Sequence, residues 1–231
     1  MSDETEKPFD KFELMSAILL GLAAVGGAWA SYQNDLWGGN QQGKYTESGS
    51  ANSRATLLAG EASATVNHDQ MIDLRAKEYL QNATNAHAKD EALKASDYEV
   101  VRYLYCLQMS DEGYKNLKFP EKHLNQPSCM EMTEEEILAG ASNILDDAYV
   151  GTVYAEAVAK LDEADKLYQE GSDANETGDK FGLDGVIYTV CLFLAGIGLV
   201  FKTRMRWSFL MMGSVAFVAA TIYLFRIPWA G

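Results

Sequence analysis

The chain has 231 residues, enough for one or two domains with a sizeable core, and a formal net charge of −14. The imbalance is local: residues 33–182 hold 27 Asp and Glu against 13 Lys and Arg, while the remainder holds six of each sign. So acidic a segment repels phosphate, which excludes nucleic acid as a partner and disfavours anionic headgroups against that segment.

From the N-terminus, residues 1–13 form a tail in which Asp3, Glu4, Glu6, Asp10 and Glu13 outnumber Lys7 and Lys11. Residues 14–32, "LMSAILLGLAAVGGAWASY", carry no charge. At 1.5 Å per residue such a run spans roughly 28 Å, the hydrocarbon thickness of a bilayer, and predicts a membrane-spanning helix. The alternative is a secretory signal, for which "AWA" at 28–30 imitates a cleavage site. Its acidic flank is the wrong one for a signal. Gly21, Gly26 and Gly27 stand four residues from Ala17, Ala30 and Ala23, a small-residue pattern that lets helices approach closely, within the subunit or between copies. The run leaves through "WASYQNDLWGGNQQGKY", where Trp29, Tyr32 and Trp37 fall at the level that amphipathic rings prefer, the headgroup layer. Gly38-Gly39 is expected to bend or hinge the chain there.

The acidic segment 33–182 reads as a helical domain outside the bilayer. Stepping alternately four and three from Ala51 meets Ala55, Leu58, Ala62, Thr65, Asp69, Ile72, Ala76, Tyr79, Ala83 and Ala86. That 3.5-residue repeat predicts a bundle or coiled-coil helix with an alanine seam. Asp69 breaks the seam and is expected at the surface. A second helix is predicted over "DEALKASDYEVVRYLYCLQMS", with Ala92, Ala95, Val100, Tyr103, Leu104 and Leu107 as its apolar face. A third opens on "TEEE", where Thr133 and Glu136 have capping-box spacing, and continues through Ile137, Ala141, Ile144, Ala148, Val158, Leu161 and Tyr168, with Gly151 as a candidate break. "EGSDANETGDKFG" then reads as a hinge or cap region. Cys106 and Cys129 flank the long connection between the second and third helices. On an outside face they can form a disulfide; in a cytoplasmic body both stay reduced.

Residues 183–201 and 207–225 predict two further spans, the first interrupted only by Asp184. At that edge the acid reads as a helix-start residue in water, with an intramembrane functional acid as the alternative. The loop 202–206 carries Lys202, Arg204 and Arg206, the strongest basic cluster of the chain, which makes it cytoplasmic. Three spans then put the N-terminal tail inside and residues 33–182 and 226–231 outside. Trp207 and Trp229 are expected as ring anchors at either end of the third span.

Catalytic and ligand motifs are lacking in the sequence. His68, His87 and His123 have no metal-ligand spacing, Cys-x-x-Cys is absent, and no phosphate loop, nucleophile elbow or dinucleotide fingerprint occurs. No cofactor, metal or catalytic residue is therefore assigned. Asn82 and Asn175 sit in glycosylation-acceptor patterns, to which no role is given.

The pattern Trp29-x-x-Tyr32-Gln33-x-x-x-Trp37-x-Gly39-x-Gln41, followed by Tyr45, Ser48 and Arg54 in a small-residue helix, resembles a family of uncharacterised bacterial membrane proteins. The resemblance covers roughly residues 12–80 and implies one N-terminal span, a helical body and a C-terminal span pair. It implies no activity. The expectation is an all-α protein: three transmembrane helices with an elongated helical bundle between the first and second. It is expected in the plasma membrane, bound by the bilayer, as a homo-oligomer or part of a larger complex, and non-enzymatic. A small oligomeric channel, transporter subunit or membrane sensor is the alternative.

Overall fold

The computed structural model describes residues 10–123, 128–143 and 145–230, so Lys7, the loop residues 124–127, Ile144 and Gly231 lie outside the described residues. The fold is all-α, with no strand among the described residues. Helix α1 runs Lys11–Gln81 and ends in a π turn, Asn82–Ala86. Helix α2, Glu91–Tyr103, likewise passes into a π turn, Leu104–Gln108. After α3, Asp111–Asn116, two 3-10 turns, Glu121–His123 and Ser128–Glu131, lead to α4, Glu134–Ala141. Helix α5 runs Asp147–Val200 and α6 runs Met205–Leu224. Three of these helices, α1, α5 and α6, are long and apolar enough to cross a membrane.

Three expected breaks are absent. Helix α1 is continuous through Gly38-Gly39, and α5 is continuous through Gly151 and residues 170–182. A helical glycine costs about 1 kcal/mol relative to alanine, which weakens a helix without ending it. Contacts on both sides of the glycine pair hold α1 in register. Gln33 and Trp37 are hydrogen-bonded on one side, and on the other Lys44 pairs with Glu170 at 2.8 Å and Tyr45 stacks on Tyr168 at 5.2 Å. Gly171 gives that stack its room, since a Cβ there would come within 2.6 Å of the Tyr45 ring.

The chain divides into two compact units. The first comprises residues 1–48 and 165–231, the second residues 49–164. In the first unit the core joins Phe12, Leu19, Ala23 and Ala30 of α1 with Phe181, Tyr188, Cys191 and Ala195 of α5 and Leu210, Ala220 and Leu224 of α6. In the second, Ile72, Ala76, Leu80 and Ala83 meet Tyr98, Val101, Leu104 and Tyr105, with Tyr114, Leu117, Phe119, Met132 and Ile137 closing the core.

The alanine seam is buried at Ala51, Ala55, Ala62 and Ala76, as are Ala157 and Ala164 of α5. Its last turns depart from the 3.5-residue step: Tyr79 and Ala86 are exposed, and Leu80 takes the inward place. Helix α2 is turned from its expected face. Of that face Leu104 is buried and Val100 packs against the core, but Ala92, Ala95, Tyr103 and Leu107 are exposed, and Tyr98, Val101 and Tyr105 are buried instead. The predicted third helix is two helices. α4 opens with the expected Thr133–Glu136 capping box, but it stops at Ala141 and α5 starts afresh at Asp147. That interruption resets the helical phase, so Val158, Leu161 and Tyr168 face outward and Tyr149, Ala157 and Ala164 face in.

Candidate functional site

Two places gather polar groups that a sequence pattern does not assemble. The first is in the span unit. Gln33 is buried, and its side-chain oxygen accepts from the Ala230 backbone N–H at 2.8 Å while its amide donates to the Ala230 carbonyl at 3.5 Å. One turn on, Trp37 Nε1 donates to the Pro228 carbonyl at 3.1 Å. Trp229 donates to the Leu224 carbonyl at 3.2 Å, and its ring lies 5.5 Å from that of Trp29. Residues 226–230, expected as a plain tail, are thus a strap docked on α1, with Ile227 buried in the core. The Trp-x-x-Tyr-Gln-x-x-x-Trp spacing places Trp29, Gln33 and Trp37 four residues apart on one helix face, so that one helical stripe receives the strap. Tyr32 tilts against Trp29 at 5.6 Å.

Close to this level, on α5, lies Asp184. It is fully buried in mid-helix, and neither carboxylate oxygen has a hydrogen-bond partner. The expectation of a water-exposed helix start is therefore corrected: α5 begins 37 residues earlier, at Asp147, so Asp184 shares the inward stripe of Phe181, Tyr188 and Cys191. Its level follows from its neighbours. Tyr188 seats on Gly26 and Gly27, and Gly182 faces Asn34, which puts Asp184 beside the turn of α1 holding Ala30 and Gln33.

Glycine roles divide accordingly. A Cβ on Gly26 would come within 2.5 Å of the Tyr188 ring, whose hydroxyl is 3.1 Å from Thr221 Oγ1. Gly27 lies against the Tyr188 Cβ at 3.4 Å. Gly21 has nothing within 4 Å and faces outward. Beside this packing, an open groove of about 460 Å³ runs between α1 and α5, lined by Ala24, Gly27, Ala28, Gly182 and Gly185 among others, with Ser31 and Asn34 contributing its polar part.

At the opposite end of the unit, Arg206 pairs with Asp10 at 2.8 Å and lies over the Phe12 ring at 4.7 Å, and Phe12 meets Trp207 edge-on at 5.4 Å. The Asp10 carboxyl is held below the usual carboxylate range by the Phe12 backbone N–H and then by Arg206. Trp207 and Trp229 are both substantially exposed.

The second place is in the helical body. Asp69, expected at the surface, is fully buried. One oxygen accepts from the Ser110 N–H at 2.9 Å; the other accepts from the Ser110 hydroxyl and, at 2.6 Å, from the Tyr149 hydroxyl. One turn along, Asp73 accepts from Tyr105 at 3.0 Å and pairs with Lys77 at 2.6 Å, and Lys77 also donates to the Asn143 carbonyl. Burial, reinforced by the neighbouring acid, holds the Tyr105 and Tyr149 hydroxyls well above the ordinary tyrosine range. Both acids therefore act as fixed acceptors that tie α1 to tyrosines far along the chain.

Cys106 and Cys129 are joined in a disulfide, with Cα atoms 5.7 Å apart. The Tyr114 hydroxyl lies 3.6 Å from both Cys129 Sγ and Met132 Sδ. His123 sets one ring nitrogen against the Ser128 carbonyl and the other against Glu136, whose carboxyl is held down at about 2 by Lys122 and by the Thr133 N–H. His87 is bound to Asp97 at 2.7 Å. Among the described residues no group of acids, histidines and cysteines has the arrangement of a metal site. Sequence reasoning missed the roles of Asp69, Asp73, Gln33 and Tyr188. The advance signals were Gln33 standing between the two tryptophans and Asp69 standing on the alanine seam.

Comparison with known proteins found no matching family model, no matching curated protein and no matching solved structure.

Proposed function

We propose that this is a non-enzymatic integral membrane protein, acting by self-association or as an accessory or scaffold subunit of a membrane complex. The observation that carries this reading is how the span helices use their faces. Their own contacts take one stripe of each, through Ala23, Ala30, Tyr188, Cys191 and Leu210. Small residues remain on the outside, at Gly21 and along the α1–α5 groove. Such surfaces let another helix approach closely within a bilayer. In the body, Asp69, Asp73, His87 and His123 all have intramolecular partners, as scaffolding groups do.

The body lies outside the plasma membrane in this reading. The basic loop at Lys202 and Arg204 supports that orientation, and so does the Cys106–Cys129 disulfide, which persists in oxidising compartments. The resemblance of residues 12–80 to uncharacterised bacterial membrane proteins supports a bacterial source. A second reading, a channel, transporter subunit or sensor, draws on Asp184, because an ionisable group in a span is costly to keep.

The test is gentle extraction of the protein from its native membrane, followed by native mass determination. A homo-oligomer or a reproducible set of co-purifying chains supports the proposal. A lone monomer under several detergents refutes both self-association and the accessory role. Membrane residence is scored separately, by sedimentation with the bilayer after alkaline washing.

A further inference from the structure

The most costly group in the span unit is Asp184. It has no exposed surface and no donor for either oxygen. A carboxylate anion isolated in this way is not tolerated in an apolar interior; the group must carry a proton or gain a cation. The charged and titratable residues around it supply none. On α5 the next titratable group inward is Tyr188, whose hydroxyl is committed to Thr221, and outward Lys180 is paired with Glu176. From α1 the polar groups at this level are Ser31, Gln33 and Asn34; the Gln33 amide is bound to Ala230, while Ser31 and Asn34 line the groove beside Gly182 and Gly185. From α6 the polar group at this depth is Thr221, whose hydroxyl donates to the Phe217 carbonyl. The strap contributes Ile227, Pro228, Trp229 and Ala230, all uncharged, and Arg226 at its start is exposed.

The strap docks on α1 close to the level of Asp184. Gln33 and Trp37 hold Ala230 and Pro228 one turn or less beyond the level of Asp184, and Ile227 joins Phe181 and Leu224 in the same core. We propose that Asp184 is a reversible proton-binding site, sealed by the C-terminal strap, which must lift for the proton to leave. The step balances simply: the carboxylic acid breaks its O–H bond, the proton passes to water at the membrane surface, and the carboxylate is left exposed to that water. The linkage is reciprocal, so whatever loosens the strap makes the acid easier to reach and to ionise. This deepens the sensor or transporter reading, and it rests on α5 being a membrane span.

The experiment uses the full-length protein in lipid nanodiscs and the hydrophobic reagent dicyclohexylcarbodiimide, which reacts with protonated carboxyl groups. Peptide mass analysis reads the rate of adduct formation at Asp184 in the wild type, in Gln33→Leu and in Trp37→Phe. Expected are slow modification of the wild type, at least tenfold faster modification of Gln33→Leu, and an intermediate rate for Trp37→Phe. In parallel, infrared spectra of the wild type should show the carbonyl stretch of a protonated carboxyl that is missing from Asp184→Asn. No adduct at Asp184 in any of the three proteins, or equal rates in all three, overturns the proposal, as does an infrared band that survives in Asp184→Asn. The milder Trp37→Phe keeps its ring, so the rate comparison stands if Gln33→Leu does not fold. A protein that fails to stay with the bilayer refutes the span reading instead, and that result is distinct from equal labelling rates.

Discussion

Asp69→Ala tests most directly how the helical body is held together. Asp69 accepts three hydrogen bonds, two from Ser110 and one from Tyr149, and it is fully buried. Removing the carboxylate strands the Tyr149 hydroxyl on a side chain that is itself buried, and it strands the Ser110 N–H. Each stranded buried donor costs about 1–3 kcal/mol. The Ser110 hydroxyl is part-buried and recovers some loss to water, so the total for Asp69→Ala is about 3–5 kcal/mol. Tyr149→Phe removes one hydrogen bond to a buried carboxyl and should cost about 1–3 kcal/mol. Because the two residues touch, the double variant should be less destabilised than the sum, with a coupling of about 1–3 kcal/mol. The assay is hydrogen exchange with mass analysis on the full chain, reading local opening free energies for residues 66–73, 109–116 and 147–153. The loss should appear in all three segments at once, since the carboxylate joins them. A change under about 0.5 kcal/mol for Asp69→Ala, or strictly additive effects, would refute the buried-acceptor account and restore Asp69 to a solvated position.

Three further outcomes are expected. Intact mass should rise by two hydrogens when the protein is reduced, and Cys106→Ala with Cys129→Ala should lower body stability by about 3 kcal/mol, the chain-entropy value for a loop with a separation of 23 residues; thermal unfolding with and without reductant checks it. Gly26→Ala should cost about 1–3 kcal/mol by forcing the Tyr188 ring off Thr221, whereas Gly21→Ala, which meets open space, should be neutral or gain up to about 1 kcal/mol from helix propensity; melting of the two variants in one detergent separates them. Glu136 has its folded pKa held down at about 2, so its contribution is complete above the ordinary carboxylate range and is lost as pH falls from there toward 2. Amide protection at Thr133 and in the first turn of α4, corrected for intrinsic exchange, should fall across that window and become flat in Glu136→Gln.

Much of the architecture was legible because it rests on local properties. Three apolar runs identify three helices long enough to cross a bilayer, since hydrocarbon leaves the backbone no other way to satisfy its polar groups there than a helix or a closed barrel. The seam from Ala51 to Ala76 was legible from spacing alone, and Thr133–Glu136 from capping chemistry, because both are set within a few residues of the chain. The breaks were misread for the same reason. Glycines at 38 and 39 weaken a helix locally, but the bonds that keep it straight come from residues 168, 170, 228 and 230.

The sequence by itself determined the helical content, the candidate spans, the acidic body between them and the inward alanine stripe, because periodicity and hydropathy are properties of neighbours. Only the tertiary structure decided which polar residues are inside. Asp69 and Asp184 are both acids on an apolar stripe and look alike in the sequence. One is surrounded by donors brought from 41 and 80 residues away, and the other has none. The energy of a buried acid depends on partners in space, which spacing along one helix cannot specify. The same holds for the strap: Gln33 and Ala230 are 197 residues apart, and only the folding of α6 back beside α1 makes them a pair.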